Sequence, residues 1–170
     1  DESDASFLYL QPMLSVITNI DADHMVTYGN DFNRLRNTFM EFLHHLPFYG
    51  LAVLCIDDDE VRALVPEIPR PVLTYGTRPE ADVRAERVRQ EGLRMYFEVH
   101  HAGGSFPVEL NLPGRHNVLN ALAAIGVGLE LGVSVEAIRR ALTSFQGIGR
   151  RFVVSQVQDT RGRGLVLIDD

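Results

Sequence analysis

Three stretches of the chain hold side chains of the types and spacings that do chemistry. Asp21-Ala-Asp-His-Met25 sets an imidazole among carboxylates, directly after the short apolar run from Leu14 to Ile20. Imidazole and carboxylate groups together suit a divalent cation such as Mg²⁺ held beside phosphate oxygens. The same residues also suit a capped loop whose histidine is merely hydrogen-bonded. Leu112-Pro-Gly-Arg-His-Asn-Val-Leu-Asn120 places Asn117 and Asn120 three apart, and so on one face of a helix that begins near His116. Side-chain amides offer a donor and an acceptor at once, the pattern that reads a purine edge, and a helix N-terminus favours anions. Asparagine is equally a preferred cap residue, so capping explains the pair as well. In Gly147-Ile-Gly-Arg-Arg-Phe152, glycines beside Arg150 and Arg151 can wrap and neutralise phosphates, or form a solvated stretch after a helix. The pairs His44-His45 and His100-His101 read as solvated surface, and Cys55, inside an apolar run, as core.

The elements that must position these residues follow from hydrophobic periodicity. Leu14 to Ile20, Leu51 to Ile56 and Pro71 to Tyr75 are short, largely apolar runs, as expected of buried parallel strands. Between the first two, Phe32, Leu35, Phe39, Phe42, Leu43 and Leu46 recur at steps of three and four. They predict an amphipathic helix over 31–46, opened by Asn30 or Asp31. A short helix is expected over 59–64, ahead of the prolines at 66, 69 and 71. Strands alternating with helices at this spacing argue for βαβ units in a parallel sheet. Period-two alternation over 82–89, 93–100 and 106–112 then predicts a small antiparallel meander, with turns at Glu91-Gly92 and Ala102-Gly-Gly104. Helices are expected over 117–131 and 135–145, the second capped by Ser134, and late strands near 152–157 and 165–168. The fold class is therefore α/β: a mostly parallel sheet with flanking helices, plus a small antiparallel subdomain at about 80–112.

Composition narrows the possible partners. In 170 residues, 45% are apolar and 23% charged, the balance of a globular domain. The net charge of −7 disfavours nucleic acid and anionic membrane surfaces, and no apolar run is long enough to span a bilayer. A single cysteine excludes an internal disulfide and suits a cytoplasmic setting. All 16 basic residues are arginine, so the chain has no lysine for a P-loop or a Schiff base. It opens on Asp1-Glu-Ser-Asp4 without a methionine and closes on Asp169-Asp170 straight after a strand-like run. An excised piece of a longer protein is the expectation.

The order of these motifs is more specific than any one of them. Asp1 to Met13, Thr18-Asn-Ile-Asp-Ala-Asp-His-Met25, Leu46-Pro-Phe-Tyr-Gly50, Pro113-Gly-Arg-His-Asn117 and Phe145-Gln-Gly-Ile-Gly-Arg-Arg-Phe152 together resemble the Mur ligases. The resemblance covers nearly the whole chain and falls in the family's central ATP-binding domain. It implies ATP-dependent amide formation in peptidoglycan precursor synthesis. A muramate carboxylate takes the γ-phosphate to give an acyl phosphate, which an amino-acid amine then displaces. The wording of Ser3 to Phe7 and Gln11-Pro-Met13 points to the branch that joins L-alanine to UDP-N-acetylmuramate. The alternatives are the branch that recycles a preformed tripeptide and a non-catalytic nucleotide-binding domain. By resemblance His24 is a ligand of Mg²⁺, and Asn117 and Asn120, with His116 beside them, contact the adenine of ATP. Arg151 then reaches the phosphates, and Asp170 lies close to the ribose. No catalytic residue beyond such metal and phosphate ligands is expected here. The family's P-loop with its lysine, the strand before it, the UDP-sugar domain and the C-terminal domain are not contained in these residues. An isolated chain is therefore expected to lack ligase activity and to bind ATP poorly.

Overall fold

The computed structural model describes residues 3–147, 153–158 and 164–169. Its main sheet has six strands in chain order, β1 (Leu14–Ile17), β2 (Leu51–Cys55), β3 (Val72–Gly76), β4 (Val83–Glu91), β5 (Arg94–His101) and β6 (Gly104–Leu110). The pairs β1–β2, β2–β3 and β3–β4 are parallel, whereas β4–β5 and β5–β6 are antiparallel. The expected antiparallel strands are thus present, and they continue the parallel sheet through β4 rather than standing apart from it.

Strand β2 shows why the parallel half reads as unbroken apolar sequence. Ala52 and Leu54 point into one core and Val53 and Cys55 into the other, and all four are buried. A strand covered on both faces has no position left for a polar side chain. One cover is α1 (Phe32–His44) with α2 (Asp59–Leu64); the other is α3 (Arg115–Glu130). Helix α1 is opened by Asp31, whose carboxylate accepts from Asn33 N at 2.9 Å, and α2 by Asp58, which accepts from Val61 N at 2.8 Å. The stripe expected on α1 faces inward, with Leu35 and Leu43 fully buried. A short 3₁₀ turn, Ser6–Tyr9, brings Phe7 against it, stacked on Phe39 at 5.3 Å and edge-on to Phe42 at 5.2 Å.

The antiparallel half has one dry face and one wet face. Val83, Ala85, Met95, Phe97, Val99, Phe106, Val108 and Leu110 join the core under α3. On the opposite face charges pair across strands, Arg87 with Glu98 at 3.0 Å and Arg94 with Glu109. A bulge between Glu86 and Arg89, with Arg87 at φ 52°, breaks the period of β4. Helix α4 (Val135–Ser144) begins at Ser134, whose hydroxyl accepts from Ala137 N at 3.3 Å, and packs on β6. Strands β7 (Val153–Gln158) and β8 (Gly164–Asp169) pair antiparallel as a separate two-stranded sheet.

Candidate functional site

The site is built where β6 hands over to α3. Strand β6 ends at Leu110, Leu112 and Pro113 follow it, and Gly114 turns the chain at φ 94° and ψ 141° before the first helical residue. A side chain is disfavoured at Gly114: its Cβ would lie 2.7 Å from His116 Cε1, so the ring would have to shift, and its φ is one that side-chain-bearing residues rarely adopt. The turn is held from two sides. Asn117 Nδ2 donates to Pro113 O at 2.7 Å, and Gly114 N donates to Gln90 Oε1 at 3.3 Å.

Helix α4 supplies the facing wall. Its C-terminal end is fastened to the end of β6 by Asn111 Nδ2 donating to Phe145 O at 3.0 Å. Thr143 Oγ1 adds a second tie to Glu109 O at 3.2 Å. Between α3, α4 and the β4–β5 hairpin lies an open cavity of about 970 Å³. Its apolar lining comes from Leu93, Leu110, Leu112, Leu142 and Phe145 and from the alanines 121, 124 and 141. Its polar groups gather at one end: Gln90, His116, Asn117 and Asn120. An apolar cavity with a few amides in its lining suits a heteroaromatic base, whose faces are apolar and whose edge carries donors and acceptors. Asn120 is exposed and has no hydrogen-bond partner among the described residues, so its amide is free to pair with such an edge.

The structure thus brings His116, Asn117 and Asn120 together on one rim. His24 stands elsewhere, exposed at φ 52° where a 3₁₀ turn, Met25–Tyr28, begins. Nearby, Thr18, Asn19, Asp21 and Asp23 line a smaller cavity of about 300 Å³ at the C-terminal end of β1. Among the described residues, no three His, Cys, Asp or Glu groups come close enough to hold a metal ion. His24 and these carboxylates therefore do not make a metal centre on their own and supply at most part of one. Arg151 and Asp170, expected at the phosphates and the ribose, lie outside the described residues.

Sequence reasoning missed part of the cavity wall: Gln90 and Leu93 at the hairpin, Ala141 and Leu142 from α4, and Phe145 directly after it. Nothing in their spacing signals a ligand, since they meet Asn117 only through the tertiary fold.

Residues 1–128 match the Mur ligase middle domain. The chain belongs to the Mur ligase family. Over its full length it is 61% identical to a UDP-N-acetylmuramate–L-alanine ligase of Halorhodospira halophila, of which it spans 35%. Among solved structures it is similar to the UDP-N-acetylmuramate–alanine ligase MurC of Thermotoga maritima. There the TM-score is 0.82 at 29% identity, with 100% of this chain and 37% of that one covered. MurF of Acinetobacter baumannii gives a TM-score of 0.79 at 28% identity, covering 99% of this chain and 36% of that one. This Mur ligase middle domain thus spans about a third of the length of the relatives it matches.

Proposed function

We propose that this chain is the nucleotide-binding core of a cytoplasmic enzyme that joins L-alanine to UDP-N-acetylmuramate at the expense of ATP. The observation that carries the reading is the rim formed by His116, Asn117 and Asn120 over an apolar slot. Identity of 61% along the whole chain to a relative named for that reaction supports the choice of substrates. The free, buried Cys55 agrees with a reducing compartment, and no helix among the described residues is long and apolar enough to cross a membrane.

In this reading the chain's own residues bind and orient the purine end of ATP. Leu93 and the alanines of α3 and α4 exclude water from the faces of the ring, and Asn120 and Asn117 fix its rotation through the amide edge. Fixing the base anchors the triphosphate tail at its far end, which restricts where the reacting phosphate can lie. Arg151, just ahead of β7, is assigned to the phosphates, Asp170, at the end of β8, to the ribose, and His24 to the Mg²⁺ that accompanies them.

The test is ADP release by the complete protein with UDP-N-acetylmuramate and L-alanine. Turnover that needs both substrates and falls in Asn120→Ala supports the reading. Turnover with a preformed tripeptide in place of L-alanine, or none with either, overturns it.

A further inference from the structure

The carboxylate of Asp57 lies where β2 ends and collects the start of the β3–β4 connection. Thr77 donates to it twice, through its N–H and its hydroxyl, each at 2.7 Å, and Arg78 N donates at 3.3 Å. The end of β3 is pressed close against it: a Cβ at Gly76 would fall 2.2 Å from Asp57 Oδ1. With its proton turned to Asp57, Thr77 Oγ1 keeps lone pairs for a donor, and Arg115 Nη2 occupies one at 3.0 Å. Arg115 is the first residue of α3 and shares its opening turn with Asn117. Among the described residues Thr77 is its only hydrogen-bond partner, and no carboxylate lies within ion-pair distance. None of the three lines the cavity.

We infer that Asp57 and Thr77 are positioning residues for the purine rim: the chain Asp57–Thr77–Arg115 ties the first turn of α3 to the ends of β2 and β3 and so sets where Asn117 and Asn120 stand. The inference rests on the purine reading of the cavity. Gly114 supplies no side-chain cap, so besides the Asn117 N–H bond to Gly114 O and the packing of buried Val118, the side-chain ties at the opening of α3 are those of Gln90, Asn117 and Arg115. A hydroxyl polarised by a carboxylate accepts a guanidinium proton more strongly than a free one does. The link is therefore stiffest while all three members are present. A small rotation of α3 about its first turn is enough to spoil the geometry of an amide–purine pair.

Adenosine titration of the complete protein, followed by amide chemical shifts, tests the chain of contacts. Adenosine carries no phosphate, so any direct anion contact of Arg115 drops out. Thr77→Val and Arg115→Met are each expected to raise the Kd about 3- to 10-fold. Thr77→Ser, which keeps the hydroxyl, should restore parental affinity, and Thr77→Val/Arg115→Met should bind no worse than the weaker single variant. Arg115 is exposed, so its variant reports even where Thr77→Val fails to fold. Parental affinity in both single variants, with Asn117→Ala weakened, overturns the positioning role and leaves the purine site standing. Additive losses in the double variant overturn the linkage between the two residues. Unchanged binding in Asn117→Ala, or no shifts in the parent at millimolar adenosine, overturns the purine reading and this inference with it.

Discussion

Replacing Asn120 by alanine separates capping from recognition, because stability and binding are expected to move in opposite directions. Asn120 lies in the second turn of α3, exposed and without a hydrogen-bond partner among the described residues. Alanine is favoured over asparagine inside a helix by about 0.6 kcal/mol. With no contact to lose, the variant should gain close to that much stability. Binding should fall instead: a side-chain amide paired with a purine edge contributes about 1–2 kcal/mol net, which is roughly a 5- to 30-fold rise in the Kd for adenosine. Asn117 supplies the contrast. Its Nδ2 bond to Pro113 O at 2.7 Å is part-buried, and its loss costs about 0.5–1.5 kcal/mol, offset in part by the same gain in helix propensity. Urea unfolding at pH 7 and an adenosine titration on each variant give the two quantities independently. A loss of more than about 1 kcal/mol in Asn120→Ala would refute the claim that its amide is free. A stabilised Asn120→Ala that still binds adenosine as the parent does would refute its part in recognition.

Three further variants probe the core and the cavity. Burial pushes the Tyr75 phenol up from its ordinary value, with the neighbouring Cys55 adding to the effect, and the hydroxyl is buried without a well-formed hydrogen bond. The unfolded chain therefore releases this proton first, so native stability is intact below pH ~10 and is lost above it at about 1.4 kcal/mol per pH unit. Tyr75→Phe should accordingly equal or exceed the parent at pH 7 and gain on it between about pH 9 and 11 by roughly 1.4 kcal/mol in urea melts; a pH-independent difference contradicts the seclusion of the phenol. Gly114→Ala meets both an unfavourable φ and the His116 ring, so it should lose about 1–3 kcal/mol in urea unfolding and weaken adenosine binding as well. Ala124→Phe, at an exposed position on the cavity wall, should leave stability within about 0.5 kcal/mol while abolishing adenosine-induced shifts. Persisting shifts place the base elsewhere.

Local chemistry made most of the fold legible. Asp58 and the proline at 66 bracket α2, and the inward stripe from Phe32 to Leu46 leaves α1 no other way to bury it. Alternation exposed β4 to β6, because only one of their faces is dry. The bulge at Arg87 was invisible because an extra residue carries no distinctive side chain. The site divided along the same line. His116, Asn117 and Asn120 share one short helical segment, and their common face follows from helical spacing alone. Gln90, Leu93 and Phe145 reach the same cavity from residues far apart in sequence, and only the register of β4, β5 and β6 and the tie of Asn111 to Phe145 bring them there.

That division also accounts for the character of α3. A helix lying on a sheet normally shows one apolar stripe and one solvated face. In α3, Val118, Leu122 and Ile125 are buried against the sheet. The next face, through His116, Asn120 and Ala124, is exposed yet not charged. Solubility alone would favour Glu, Lys or Arg at such positions. Ala124 and its counterpart Ala141 on α4 instead hold the gap between the two helices open, since any longer side chain there would fill it. An uncharged exposed face with a small residue at Ala124, beside a turn of amides, is what the proposed purine seat requires of a helix.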